Sequence, residues 1–325
     1  MIAPMQVVRW GIIGCGDVTE VKSGPGFQQA AGSALAAVMR RDAARARDYA
    51  ERHGVPHWYA DAGALIDDPE VDAVYIATPP SSHLELALRV AAAGKPCLVE
   101  KPMAMSHAEC QRMTDAFAER GTPLWVAYYR RALPRFLKVR QLLADQAIGP
   151  LTSFHIQVTE RLAAGDVLSN WRFNPSLAGA GLFFDLASHC VDLIDFLVGP
   201  IREARGCSTN TGGAYAAEDV TAAAFTAGDA IAGTGIWNFN ADDKTDAIVF
   251  TGTRGRLWTP VFADRDVSLA RDAATTTLPI RNPPHVHQPL IQSIVDELQG
   301  RGRCESTGPS GARASWVLDR CLGRG

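Results

Sequence analysis

The sequence predicts an α/β unit followed by an α+β unit: first a doubly wound parallel sheet, then a domain with a large, mostly antiparallel, open-faced sheet. Three observations lead there. The chain has 325 residues, more than one core usually spans at about 150 residues per domain. Its first 125 residues alternate short apolar or β-branched runs with longer alanine-rich amphipathic stretches, the pattern of βαβ units. From Leu151 the texture changes to successive strand-like pieces with few helices between them, the pattern of an antiparallel sheet. Domains of residues 1–125 and 126–325 are therefore expected.

In order along the chain, residues 7–13, 34–39, 73–77, 96–99 and 124–127 read as strands and residues 43–53, 82–93 and 106–120 as helices. A Gly-rich turn, Pro79-Pro80 and Gly94-Lys95-Pro96 separate them, all residues that end regular structure. Residues 152–160, 204–209, 221–226, 231–238 and 247–251 read as the strands of the second unit. Asp242-Asp243-Lys244 reads as a solvated hairpin turn, and Asp67-Asp68-Pro69-Glu70 as a loop that ends a helix. Ile236, Trp237 and Phe239 are expected on the open sheet face, where a homodimer or homotetramer would form.

Composition narrows the function. Hydrophobic residues make up 47% and charged residues 21%, with a formal net charge of −3, so the chain is globular and lacks the basic surface that a nucleic-acid partner needs. Seven cysteines with no C-x-x-C pair argue against a disulfide framework or a metal site. The first six residues show no basic segment ahead of an apolar core, and no uninterrupted apolar run approaches the roughly 20 residues of a membrane span. A cytoplasmic location and no membrane partner are the expectation.

The first chemical motif follows the first strand: Gly11-Ile12-Ile13-Gly14-Cys15-Gly16-Asp17-Val18-Thr19. In a G-x-G-x-x-G turn the glycines permit a tight bend and a close backbone approach to a pyrophosphate, at a helix N-terminus whose dipole favours the anion. This is the fingerprint of a Rossmann-type dinucleotide domain, with Gly14, Gly16, Asp17 and Val18 as the candidate contacts. Thr19 stands where the third glycine usually does, which predicts a helix packed further from the strand. The second strand ends in Met39-Arg40-Arg41-Asp42, with Arg45 four residues after Arg41. An NAD site usually places an acid there for the ribose 2'-hydroxyl, whereas arginines suit a 2'-phosphate. Arg40, Arg41 and Arg45 thus point to NADP, with NAD as the alternative because Asp42 is adjacent.

Two further segments carry a resemblance. Ala77-Thr78-Pro79-Pro80-Ser81-Ser82-His83 precedes Gly94-Lys95-Pro96-Cys97-Leu98-Val99-Glu100-Lys101-Pro102, and Gly179-Ala180-Gly181 leads through Asp185 to His189 after Trp171-Arg172. In this order the chain resembles the glucose-fructose oxidoreductase, inositol dehydrogenase and rhizopine-catabolism (Gfo/Idh/MocA) family over essentially its whole length, with Ala180 replacing one glycine of the G-G-G-x-x-x-D-x-x-x-H pattern. The resemblance implies hydride transfer between a nicotinamide cofactor and a secondary alcohol or ketone of a sugar, polyol, anhydro-sugar or dihydrodiol. It implies Lys101, Asp185 and His189 as catalytic residues: His189 as acid/base, Lys101 steadying the developing alkoxide, Asp185 anchoring substrate. Whether Lys101 or His189 moves the proton stays open. Thr78, Pro79, His83, Glu100, Lys101, Trp171 and Arg172 are implied cofactor contacts, and Tyr128, Arg131, Asp185 and His189 substrate contacts. A nucleotide-binding sensor of the same fold without turnover is the alternative.

Read without the family, Lys101 follows an apolar strand at the carboxyl end of a parallel sheet, where such sheets bind ligands. Asp185 and His189 are four apart and share a helix face, extended by Asp192 and Asp195. Tyr128 to Arg131 serve either substrate contact or hinge packing. Trp171-Arg172 lies near the cofactor or anchors a loop. His285-Val286-His287 has no cysteine or acid at ligand spacing and reads as structural or as a substrate lid.

Overall fold

The computed structural model describes residues 4–162 and 171–324. The chain forms two compact units. One comprises Met1–Ala104, Ala108–Ala132 and Pro283–Ala312, the other Met105–His107, Leu133–Asn282 and Arg313–Gly325.

The first unit runs β1 (Val8–Ile13), α1 (Asp17–Val21), α2 (Gly24–Gln29), β2 (Ser33–Met39), α3 (Ala43–His53), β3 (His57–Tyr59), α4 (Ala62–Asp67), β4 (Ala73–Ile76), α5 (His83–Ala92), β5 (Cys97–Val99), α6 (His107–Arg120) and β6 (Leu124–Val126). Its six strands pair in the order β3-β2-β1-β4-β5-β6 and all are parallel. The order reverses between β1 and β4, so the carboxyl ends of those strands flank the position where open α/β sheets receive ligands. An aromatic line holds this middle together. The Trp10 ring on β1 lies 4.9 Å from Phe27 on α2, which lies 5.1 Å from Tyr75 on β4.

The second unit contains α7 (Pro134–Ala144), β7 (Leu151–Arg161), α8 (Pro175–Ala178), α9 (Leu182–Leu197), β8 (Ile201–Thr209), β9 (Val220–Ala227), β10 (Ile231–Asn238), β11 (Asn240–Gly252), β12 (Gly255–Thr259), β13 (Val267–Arg271) and β14 (Ala274–Leu278). Eight strands pair in the order β14-β13-β12-β11-β7-β10-β9-β8. Every pair is antiparallel except β7 with β10. Phe154, Ile156, Phe225, Trp237, Ile248, Phe250 and Leu257 face the core, and α9 packs on β8 and β9. The stretch Pro175–Leu197 is apolar and long enough to cross a membrane, yet 83% of its most apolar window is buried inside the protein, as befits a core helix.

Four sequence expectations change here. The break expected at residue 125 lies beyond β6, and the first unit regains residues 283–312. There, α10 (Gln288–Leu298) buries Leu290, Ile291, Ile294, Val295 and Leu298 against Val8, Trp10 and Phe27, and Ser306 donates to the Val126 carbonyl at 2.6 Å. A chain end can return to an earlier domain because apolar periodicity shows that a face is buried, not what buries it. Asp242-Asp243-Lys244 is no hairpin turn. It lies within β11, where the register with β7 slips between Asn240 and Thr245, and Lys244 pairs with Glu160. Trp237 is buried against Phe183 of α9, while Ile236 lies on the other face, because side chains alternate along a strand; Phe239 is buried just beyond the strand end. His285 and His287 belong to the first unit, not to the second where the expected boundary placed them. The last helix, α11 (Gly308–Cys321), closes the chain.

Candidate functional site

In the first unit the β1–α1 turn has the geometry a pyrophosphate requires. Gly14 has φ +93°, and a Cβ there would stand 2.7 Å from the Thr78 methyl group, so only glycine fits. At Gly16 a Cβ would meet nothing closer than the Gly14 oxygen at 3.9 Å, leaving the backbone open to a ligand. The amides of Gly14 and Cys15 are spent on the Met39 carbonyl at 2.9 and 3.2 Å. Those of Asp17 and Val18 open α1, where helical geometry leaves N–H groups without intrahelical acceptors. Thr19 replaces the third glycine by capping: its hydroxyl accepts from Gly16 N–H at 2.9 Å and donates to the Gly16 carbonyl at 2.7 Å. The close approach usually served by that glycine moves to Gly24, where a Cβ would stand 2.2 Å from the Thr19 carbonyl oxygen.

At the tip of β2 the charged residues divide. Arg40 turns inward and donates to the Cys15 carbonyl at 3.2 Å, bracing the turn. Asp42 is the N-cap of α3, accepting from Arg45 N–H at 3.2 Å, and its carboxylate also meets the Arg45 guanidinium at 3.5 Å. Arg41 is exposed and, among the described residues, makes no hydrogen bond or ion pair.

The carboxyl ends of β4 and β5 carry the other expected residues. Thr78 and Pro79 are half-buried, and Ser82 donates to the Thr78 hydroxyl at 2.7 Å. His83, expected to meet cofactor, is fully buried, with its ring nitrogens 2.7 Å from the Thr78 carbonyl and 3.1 Å from the Met103 carbonyl. Burial pushes its pKa below the usual value, while the two carbonyls pull the other way. Its contacts are thus with the protein's own backbone, joining the β4 loop to the β5 loop. Glu100 is likewise interior. It accepts from the Tyr75 hydroxyl and, at 3.1 Å, from the Lys101 amide. Lys101 follows, half-buried, with a cis peptide to Pro102. Tyr128 and Arg131 are buried, Arg131 donating to the Glu305 carbonyl at 3.2 Å within the same unit.

In the second unit the Gly179-Ala180-Gly181 segment leads into α9. Gly179 needs glycine, with φ +91°, whereas Ala180 has no positive φ and is fully buried; this is why the replaced glycine is tolerated. Asp185, His189 and Asp192 recur at helical spacing on α9, all buried, and the His189 ring meets Phe262 edge-on at 6.1 Å. Trp171 and Arg172 are brought to this helix. The Arg172 guanidinium lies 4.7 Å from the Trp171 ring and 3.3 Å from the Asp185 carboxylate. Asp195 departs from the stripe to pair with Arg313 through two bonds of 2.9 and 3.0 Å.

Sequence reasoning missed Tyr75, whose hydroxyl seats Glu100, and Arg172 as the partner of Asp185. A tyrosine inside the otherwise aliphatic run Ala73-Val74-Tyr75-Ile76 was the available signal, since a buried hydroxyl seeks a partner. Among the described residues, no three His, Cys, Asp or Glu side chains gather to hold a metal ion.

With this geometry in place, residues 8–128 match the model of the oxidoreductase family with an NAD-binding Rossmann fold, and residues 136–258 the C-terminal domain of the same family. The chain is 38% identical over 296 residues to Oxidoreductase P35 of Formosa agariphila, which spans 89% of this chain and 90% of that protein. It is 34% identical over 155 residues to the levoglucosan dehydrogenase of Pseudarthrobacter phenanthrenivorans, across 47% of this chain and 40% of that protein. A solved levoglucosan dehydrogenase in complex with NADH and levoglucosan superposes with a TM-score of 0.87 over 98% of this chain and 97% of its own, at 22% identity, a likeness of fold. The chain belongs to the Gfo/Idh/MocA oxidoreductase family.

Proposed function

We propose that this protein is an NADP(H)-dependent oxidoreductase that interconverts a secondary alcohol and a ketone on a carbohydrate-like small molecule. The observation that carries the reading is the turn at Gly14 to Gly16, open above a parallel sheet whose fifth strand delivers Lys101 at its carboxyl end. Relatives named for levoglucosan, 1,5-anhydro-D-fructose and trans-1,2-dihydrobenzene-1,2-diol support the substrate class. All three names describe oxygenated rings.

The residues fit a dinucleotide. Gly14 and Gly16 would leave room for the pyrophosphate, the amides of Asp17 and Val18 would hold it, Arg41 would hold the 2'-phosphate, and Thr78 with Pro79 the nicotinamide end. Asp42 is committed to capping α3, which supports NADP over NAD. Once bound, the nicotinamide supplies the hydride acceptor or donor. Lys101 places a positive charge where the substrate oxygen becomes alkoxide-like, a contribution that grows in the transition state. His189 takes the hydroxyl proton in oxidation and returns it in reduction, work for which imidazole is suited near neutral pH. Asp185, oriented by Arg172, anchors a second substrate hydroxyl.

Fluorescence titration with NADPH and NADH, then a polyol and dicarbonyl panel read at the nicotinamide absorbance band, tests the reading. Tight NADPH binding and turnover that falls about 100-fold or more in Lys101→Ala and His189→Ala are expected. Absence of nucleotide binding refutes it. Binding without turnover, with both variants retaining biological activity, would favour the sensor.

A further inference from the structure

The His285-Val286-His287 segment is not used by the chemistry above, yet it brings an imidazole to the strand end that carries Lys101. We infer that His287 is a positioning residue: it walls in the Glu100 carboxylate, which grips the Lys101 amide, and thereby sets the direction in which Lys101 projects. The inference rests on the proposed role of Lys101.

The Glu100 carboxylate is held on two sides from within the sheet. One oxygen accepts from the Tyr75 hydroxyl on β4, the other from the Lys101 amide at 3.1 Å. A segment almost two hundred residues downstream also packs against it. His287, 3% exposed, sets its Nδ1 3.9 Å from Glu100 Oε1. Its ring lies on Tyr129 with centroids 4.4 Å apart, and the Arg130 guanidinium lies 4.8 Å from the same Tyr129 ring.

A purely structural duty does not explain the imidazole. His287 is the N-cap of α10, but what it contributes to the helix is its carbonyl, which accepts from Ile291 N–H at 3.0 Å. Any residue supplies a carbonyl. The distance to Glu100 is too long for a hydrogen bond. It is also not a charged pair, because burial and the cations Lys22, Arg130 and Lys101 push the His287 pKa down to about 3. The ring therefore stands as a neutral, polar wall. It covers part of the carboxylate from water without adding a charge of its own. A buried carboxylate with fewer water competitors holds its remaining donors more firmly, and the Lys101 amide is one of them.

A readout that needs no substrate tests this. Acetylation of Lys101 by acetic anhydride, measured by peptide mass spectrometry in competition with the exposed Lys138 of the same sample, reports the placement and environment of its ammonium. His287→Phe keeps a flat ring against Tyr129 but removes the polar edge. The Lys101-to-Lys138 ratio is expected to change about threefold or more, with the melting temperature and NADPH titration near wild type and with His287→Asn returning the ratio toward it. Should His287→Phe fail to fold, Tyr129→Leu unseats the same ring and is expected to move the ratio in the same direction. An unchanged ratio in whichever of these variants folds overturns the inference, as does a shift in melting temperature alone. The proposed function fails separately, if Lys101→Ala retains turnover; the labelling ratio then still decides what His287 does.

Discussion

Arg41 and Asp42 stand next to each other at the end of β2, and only Asp42 is engaged within the protein among the described residues. Asp42 caps α3 and pairs with Arg45, whereas Arg41 is exposed and makes no bond among the described residues. Arg41→Ala is therefore expected to weaken NADPH about tenfold or more while NADH changes little, since a charge-assisted contact to phosphate is lost; equal losses in the two titrations would refute the assignment. His287 gives a second prediction at this scale. Its folded pKa is about 3 against an ordinary value of 6.5, so below pH 6.5 the unfolded chain binds a proton that the native chain refuses. The stability it permits is thus complete above pH 6.5 and is lost as pH falls from there toward about 3, with a slope of about 1 kcal/mol per pH unit. Denaturant melts of wild type and His287→Phe across that window should diverge, with wild type falling faster toward acid.

At the level of elements, two packing devices stand out. Gly24 opens α2 directly beneath the Thr19 carbonyl, whose oxygen also accepts from the Tyr49 hydroxyl at 2.9 Å. Gly24→Ala forces a methyl group into that space and is expected to cost about 2 kcal/mol and to weaken nucleotide binding with it, measured by melts and fluorescence titration. The second device joins α9 to α11. Asp195 is 8% exposed and is answered by the Arg313 guanidinium through two bonds. Arg313→Met removes a cation from beside a buried carboxylate and is expected to destabilise the protein by about 2 kcal/mol. The double variant with Asp195→Asn should recover part of the loss, because a buried amide needs the missing cation less than a carboxylate does.

For the whole molecule, the uncovered face of the second sheet is the feature with a consequence for assembly. Strand register aligns Ala224, Thr234, His155, Val249 and Trp258 in one row across five strands, with Ile236 in the next row. All six are half-buried or exposed. Broad faces of small and apolar residues pair with copies of themselves, so a homodimer or homotetramer through this face is expected. Sedimentation should show wild type as an oligomer at micromolar concentration and the Ile236→Lys, Val249→Lys double variant as a folded monomer; a monomeric wild type would count against this. Much of the architecture was legible beforehand because it is local. Helix α3 and strand β10 fall where periodicity and breakers place them, and Asp67 ends α4 as the Asp67 to Glu70 loop implied. What was not legible was pairing at long range. Trp237 looks like an interface aromatic until the alternation of β10 turns it inward, and the Asp242 to Lys244 bulge looks like a turn because charge marks exposure rather than bend.

The sequence by itself determined the class of the protein: a βαβ alternation, a glycine turn after the first strand, Glu100-Lys101-Pro102 at a strand end and an Asp185 to His189 helix face. Each of these is a relation among residues a few positions apart, where backbone geometry translates spacing into structure. Only the tertiary structure showed which protein groups the polar residues of these motifs bond to. His83 and Glu100 sit in motifs that suggest contact with cofactor, but they bond to backbone and to Tyr75. The return of residues 283–312 to the first unit, and with it the seating of His287 beside Glu100, depends on contacts between segments almost two hundred residues apart. No periodicity encodes them, because burial specifies that a side chain is covered and leaves its neighbour to the fold.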